Sequence, residues 1–180
     1  MNDQISENQI QAKAKKIKLA IFDVDGVMTD GTLYFRDTDD VAIGFNIQDG
    51  LGIQLLHQAG IQVAIITGRS GNAVPKRAAM LGIQHLYTGC SDKFGAYTEL
   101  KTKLGVQDEE VAYAGDDWID IPVMRHVGLK IAVPNAVAEV KAIADWQTPR
   151  AGGQGAVRDI SDLLLKAQGH FENLLKKYFK

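Results

Sequence analysis

With 180 residues, 46% hydrophobic and 23% charged, the chain has the make-up of a folded globular protein and the length of one domain, 1–180, able to bury a sizeable core. Its formal net charge of −2 speaks against a nucleic-acid binder, which carries a basic patch or stripe. The single cysteine, Cys90, excludes a disulfide framework within the chain and favours a reducing compartment.

The N-terminus is polar and lacks the apolar core of a signal peptide, and no stretch approaches the roughly 18 apolar residues of a membrane span, so a cytoplasmic protein without a membrane partner is expected. The lysines near the two ends (Lys13, Lys15, Lys16, Lys176, Lys177 and Lys180) read as solvated helix faces. Residues 18–22 read as the first strand. Two short strands over 32–35 and 41–45, joined by Arg36 to Asp40, give a hairpin signal without an ideal two-residue turn. From there helices and strands alternate: helices over 50–59, 72–81, 93–104, 119–124 and 137–143, strands over 63–67, 85–87, 111–114 and 129–133. Gly60, Gly82 and Gly105 follow three of these helices as C-terminal caps should. A last helix is expected from about Ile160 to Tyr178, with an apolar stripe of Ile160, Leu163, Leu164, Ala167, Phe171, Leu174, Leu175 and Tyr178 for docking on the sheet or a neighbouring subunit. This alternation predicts the α/β class: a three-layer, Rossmann-like parallel sheet with helices on both faces, plus a β-hairpin flap. Such sheets bind ligands outside the carboxyl ends of their strands.

The polar clusters follow the strands. Phe22-Asp23-Val24-Asp25-Gly26 closes the first. In extended backbone residues i and i+2 point to one side, so Asp23 and Asp25 share a small volume. Burying an ionised carboxylate costs several kcal/mol unless it is paired or metal-bound, and a hard divalent cation suits oxygen ligands. Thr67-Gly68-Arg69 ends the second strand, Lys93 lies just beyond the third, and Gly115-Asp116-Asp117-Trp118-Ile119-Asp120 ends the fourth. Singly, each has a plainer explanation: a turn at Thr67-Gly68, a solvated Lys93, a surface Arg69, helix caps at Asp116 and Asp117. Gathered at one sheet edge they form a phosphoryl-transfer set. The lysine and metal offset negative charge, while the hydroxyl and backbone N–H groups bind phosphoryl oxygens.

The order DxDG, TGR, Lys, GDDxxD resembles the haloacid dehalogenase superfamily of aspartate-nucleophile phosphatases over about residues 17–133. The resemblance implies that Asp23 is the nucleophile forming a phospho-aspartate, and that Asp25 protonates the leaving alcohol and later takes a proton from water. It implies that Mg²⁺ is held by Asp23, Asp25 (through its main-chain carbonyl) and Asp116. Thr67 would bond a phosphoryl oxygen, and Lys93 would neutralise Asp23 and the phosphoryl group; of the supporting acidic residues, Asp120 would hold the metal shell or Lys93, and Asp117 would be a ligand or an outer-shell partner. Trp118 stands where this motif usually has a smaller apolar residue. Asp23 to Thr67 spans 44 positions (67 − 23) and Thr67 to Lys93 spans 26 (93 − 67), leaving no room for a cap domain of about 50 residues or more. Asp23 to Gly31 followed by a hairpin, with Gly152-Gly153-Gln154-Gly155-Ala156-Val157-Arg158-Asp159, is similar to the 3-deoxy-D-manno-octulosonate 8-phosphate phosphatases. That resemblance implies a homo-oligomer, a tetramer whose hairpins meet on its axis, and a C-terminal tail (about 150–180) reaching a neighbour's site. It implies an acidic sugar phosphate as substrate, bound by Thr67, Gly68, Arg69, Lys93 and Arg158; the two guanidiniums are candidates for its carboxylate.

Overall fold

The apolar runs pair into a wholly parallel six-stranded sheet in the computed structural model, which describes residues 5–35, 37 and 41–179. The chain order is α1 (Glu7–Ala14), β1 (Leu19–Phe22), the hairpin strands β2 (Tyr34–Phe35) and β3 (Val41–Ala42), α2 (Ile47–Gln58), β4 (Gln62–Ile66), α3 (Ala73–Leu81), β5 (His85–Tyr87), α4 (Lys93–Leu104), β6 (Val111–Gly115), α5 (Ile121–Met124), β7 (Leu129–Ala132), α6 (Ala138–Ile143), β8 (Trp146–Gln147), α7 (Ala156–Ala167) and α8 (Phe171–Leu175). The sheet order is β5-β4-β1-β6-β7-β8. β1 is central, with Ile21 opposite Ala64 of β4 on one side and Tyr113 of β6 on the other. The chain first builds outward from β1 through β4 and β5, then returns to add β6, β7 and β8. The order reverses at β1, and such a reversal opens a crevice at the carboxyl ends of the strands.

Burial explains why these strands read as unbroken apolar runs. Every residue of β1 and β6 is buried, and of β4 only Gln62 is exposed. Helices cover the sheet, with α2 packed on α7 and α3, and α4 packed on α5. The core gathers Phe22, Ile53, Leu56, Ile65, Tyr97 and Tyr113, all fully buried. Among the described residues, only a short helical segment (Val24–Met28), the hairpin and α2 lie between β1 and β4, and only α3 and β5 between β4 and α4, so no cap domain is interposed.

Several expectations need correction. The single helix expected over 160–178 is two. α7 begins earlier, at Ala156, and ends at Ala167, and Gly169 turns the chain in the left-handed region (φ 75°) before α8. Gln168 fixes that break by donating from Nε2 to the carbonyls of Ala14 and Ile17 at 3.1 and 2.8 Å. The hairpin strands are two residues each, shorter than expected, and Arg36, Thr38, Asp39 and Asp40 of their link lie outside the described residues. Of the hairpin's apolar side chains, Leu33, Tyr34 and Phe35 are exposed, whereas Ile43 and Phe45 pack on the core. Two elements were not foreseen. α1 is announced by a capping box that the sequence does contain, Ser6 with Gln9. β8 is a two-residue edge strand too short to carry a periodic signal.

Candidate active site

Three adjacent strands deliver the polar clusters to one place. The Asp23 N–H donates to the Ala114 carbonyl at 3.1 Å, so Asp23 still keeps the β1–β6 register. Thr67 likewise keeps the β4–β5 register, its N–H donating to the Tyr87 carbonyl at 2.9 Å. Asp116 follows β6 directly. Asp23, Asp25, Thr67, Gly68, Arg69, Ser70, Asp116, Asp117 and Ile119 line an open cleft of about 420 Å³. Lys93, the first residue of α4, reaches the cleft floor from behind. Its Nζ lies 2.9 Å from Asp23 Oδ1 and 2.7 Å from Asp120 Oδ1.

Gly26 shows how closely the first and last motifs approach. It has φ 77°, and a Cβ built on it would lie 1.9 Å from Asp116 Oδ2, so any side chain there would displace that carboxylate. Arg69 holds Asp25, its Nε donating to Oδ1 and Oδ2 at 2.8 and 2.9 Å. The Arg69 N–H in turn donates to the Thr67 hydroxyl at 3.1 Å.

Burial and like charge dominate the electrostatics. Burial, with the Asp120 charge adding to it, pushes Asp23 up to about 6 against the pull of Lys93. Burial and then the Asp120, Asp23 and Asp117 charges push Asp116 up to about 7. Burial alone would lower the Lys93 ammonium, but the Asp23 and Asp120 carboxylates outweigh it and hold its pKa above the ordinary lysine value. Lys93 is therefore a fixed positive charge under the cleft.

Comparison with known proteins agrees with this geometry. Residues 85–159 match the haloacid dehalogenase-like hydrolase family. The 3-deoxy-D-manno-octulosonate 8-phosphate phosphatase of Escherichia coli (strain B / BL21-DE3) is 48% identical over 163 residues, covering 91% of this chain and 87% of that protein. The chain belongs to the 3-deoxy-D-manno-octulosonate 8-phosphate phosphatase family. The family's fold is shared closely. The enzyme of Yersinia pestis superposes with a TM-score of 0.90 at 47% identity, over 92% of this chain and 89% of that one. The enzyme of Moraxella catarrhalis, solved in complex with magnesium, phosphate and KDO, superposes with a TM-score of 0.94 at 43% identity, over 96% of this chain and 99% of that one.

The residues present suit the hard cation named in that phosphatase complex. Carboxylate oxygens of Asp23, Asp116 and Asp120 lie within 4.8 Å of one another. Asp120 is already saturated. Its Oδ1 accepts from Lys93 and from the Tyr113 hydroxyl (2.7 and 2.6 Å), and its Oδ2 accepts from the N–H groups of Asp116 and Asp117 (2.9 and 3.3 Å). Asp23 Oδ1 is different: it is buried and near Lys93, yet receives no hydrogen bond of good geometry. An all-oxygen pair lining the open cleft fits Mg²⁺ through Asp23 and Asp116, with Asp120 anchoring the lysine instead.

Arg158 is not brought to the cleft. Its Nε pairs with Asp162 one helical turn along α7 at 2.8 Å. The glycine-rich segment before α7 packs on this chain's own loop after Asp25, Gly153 N–H donating to the Val27 carbonyl at 3.1 Å. Trp118 is 61% exposed at the cleft rim, beside Ile119 at 58%, and does not pack under the site. The Cys90 thiol is pushed up chiefly by burial and donates to the Asp92 carbonyl at 3.2 Å, the reverse of an activated thiol. Two residues on the cleft's supporting side escaped the sequence reading. Tyr113 was hidden within an apolar strand as an ordinary core aromatic, and Asn135 stands outside every motif.

Proposed function

We propose that this chain hydrolyses 3-deoxy-D-manno-octulosonate (KDO) 8-phosphate to KDO and inorganic phosphate, a step of lipopolysaccharide synthesis in the cytoplasm. The observation that carries the proposal is Asp23: a buried carboxylate ion-paired through Oδ1 with Lys93 at 2.9 Å, lining a cleft shared with Asp25 and Asp116. The relatives at 43–48% identity supply the substrate class.

Asp23 attacks phosphorus, and the bond from phosphorus to the sugar O8 breaks as Asp25 gives its proton to that oxygen. KDO leaves, and Asp23 carries the phosphoryl group as an acyl phosphate. A water then gives a proton to Asp25 and attacks phosphorus. The P–O bond to Asp23 breaks, phosphate departs, and both aspartates return to their starting states. Asp23 and Asp116, with the main-chain carbonyl of Asp25, would hold Mg²⁺, which supplies positive charge for the phosphoryl oxygens. Lys93 neutralises Asp23 and the incoming phosphoryl group, and Asp120 and Tyr113 keep the ammonium in place. The Thr67 hydroxyl and the backbone at Gly68 meet phosphoryl oxygens, and Asp117 supports the acidic turn. Positioning and charge stabilisation carry most of the rate, because one acid/base group gives only about 10²–10⁴-fold.

Arg69 is the guanidinium within reach of an acidic sugar's carboxylate, and its Nε also orients Asp25. The cleft is open, so distal sugar contacts come from another subunit of a homo-oligomer, a tetramer, which would also cover Tyr34 and Phe35, 55% and 78% exposed. Among the described residues no helix is long and apolar enough to cross a membrane. The test is phosphate release with Mg²⁺ from KDO 8-phosphate, N-acetylneuraminate 9-phosphate and an aryl phosphate. Strong preference for the first is expected. Equal weak rates on all three would refute the substrate assignment, and no release from any would refute the phosphatase reading.

A further inference from the structure

The loop between β7 and α6 touches both sides of the cleft's acidic face. Asn135 Nδ2 donates to the Gly26 carbonyl at 2.7 Å, and its Oδ1 accepts from the Gly152 N–H at 2.8 Å. The carbonyl can only accept and the N–H can only donate, so these two contacts fix which way the amide points. Two residues on, the Val137 N–H donates to the Asp116 carbonyl at 2.9 Å. One five-residue stretch thus ties the loop after Asp25 to the backbone of Asp116.

The fit around Gly26 leaves little slack. Asp116 Oδ2 stands 1.9 Å from where a Gly26 Cβ would be, and the Gly26 carbonyl oxygen stands 1.8 Å from where a Gly152 Cβ would be. Gly26 and Gly152 are both buried, whereas Asn135 itself is exposed. An exposed side chain bridging two buried backbone groups contributes little to a core. Its geometry is suited to holding those groups in place. Gly26 directly follows Asp25, so clamping its carbonyl restrains the Asp25–Gly26 peptide, whose oxygen would be a ligand of the cation in the reading above.

Resting on the phosphatase reading above, we propose that Asn135 is a positioning residue that sets the gap between the Asp23–Gly26 loop and Asp116, and with it the affinity for the divalent cation. It touches neither substrate nor metal. Loss of such an outer partner typically weakens metal binding by about 10–100-fold. Glycine-rich residues 152 and 153 join the same clamp, so this tail segment serves its own chain's catalytic loop.

The experiment is a Mn²⁺ titration of the full chain followed by electron paramagnetic resonance of free Mn²⁺, with thermal midpoints measured without metal. Asn135→Ala removes both bonds. Asn135→Asp, nearly isosteric, keeps an acceptor for Gly152 but sets a carboxylate oxygen against the Gly26 carbonyl. Both variants are expected to bind Mn²⁺ at least about tenfold more weakly, with kcat at saturating Mg²⁺ restored to within about threefold of the parent and the activation constant for Mg²⁺ raised. A lowered midpoint with parental Mn²⁺ affinity in either variant would overturn the proposal, because Asn135 would then be a structural brace only. If the parent binds Mn²⁺ but releases phosphate from no sugar phosphate, the phosphatase reading fails, and this inference stands or falls on the binding ratio alone.

Discussion

Asp23 and Asp49 are almost twins by local measures. Each is 3% exposed, each is pushed up to about 6 chiefly by burial, and each has one carboxylate oxygen without a hydrogen-bond partner. Their neighbourhoods differ. Asp23 opens into a cleft with two more carboxylates and has a buried lysine within 2.9 Å. Asp49, in the first turn of α2, lies in the seam with α7 and accepts the Arg158 N–H at 2.8 Å, capping a neighbouring helix end. The comparison teaches that a strained buried carboxylate marks a site only when it faces open space together with the charges that chemistry needs.

The sharpest way to break this contrast is to neutralise each member. Asp23→Asn is expected to reduce turnover by at least about 10³-fold while the protein stays folded, since the nucleophile is lost and Lys93 keeps Asp120. Asp49→Asn should leave turnover within about twofold of the parent, by the same phosphate-release assay. A large loss from Asp49 with none from Asp23 would invert the assignment.

Removing the cation comes next. Lys93→Met leaves Asp23 and Asp120 buried without their counter-charge, which costs about 3–5 kcal/mol of stability as well as activity. Urea unfolding of Lys93→Met beside the parent reads this, and an unchanged midpoint would mean the two carboxylates do not depend on the lysine.

The Asp49 seam has its own pH signature. Its folded pKa of about 6 lies above the ordinary 3.8, so the folded state holds the proton more tightly. No penalty exists below about pH 4, where the group is protonated in both states. The penalty grows as the pH rises toward 6 and is full above it, on the order of 3 kcal/mol at roughly 1.4 kcal/mol per unit. Asp49→Asn keeps an acceptor for Arg158 and should therefore raise the thermal midpoint at pH 8 but not near pH 4. Equal gains at both would show that the burial penalty is not electrostatic.

The smallest effect belongs to Arg158→Ala. Its pair with Asp162 is a half-exposed i,i+4 contact, so less than about 1 kcal/mol is at stake. A raised KM for KDO 8-phosphate in this variant would restore Arg158 to substrate recognition through a neighbouring subunit.

Much of the site was legible because its residues sit where strands end. Asp23, Thr67 and Asp116 each follow an apolar run, and a parallel sheet with short crossovers brings such positions to one edge. Asp120 and Lys93 were recognisable as members of the motif set, and the structure decides between the two supports expected of Asp120: it holds Lys93. Tyr113 was illegible because an inward-facing tyrosine in an apolar strand looks like any core aromatic. Asn135 was illegible because its partners, Gly26 and Gly152, are backbone groups 109 and 17 residues away.

What the sequence determined by itself was the α/β alternation, the helix ends at Gly82 and Gly105, the lack of a cap domain and the gathering of four polar clusters. These follow from local rules: period, caps and chain length between motifs. Tertiary structure alone decided that Asp120 spends both oxygens on anchoring, that Arg69 holds Asp25 while Arg158 lies apart, and that the last helix breaks at Gly169. Those outcomes depend on which distant groups meet in space. Hydrogen-bond partners and desolvation are set by that meeting, and no local pattern encodes it.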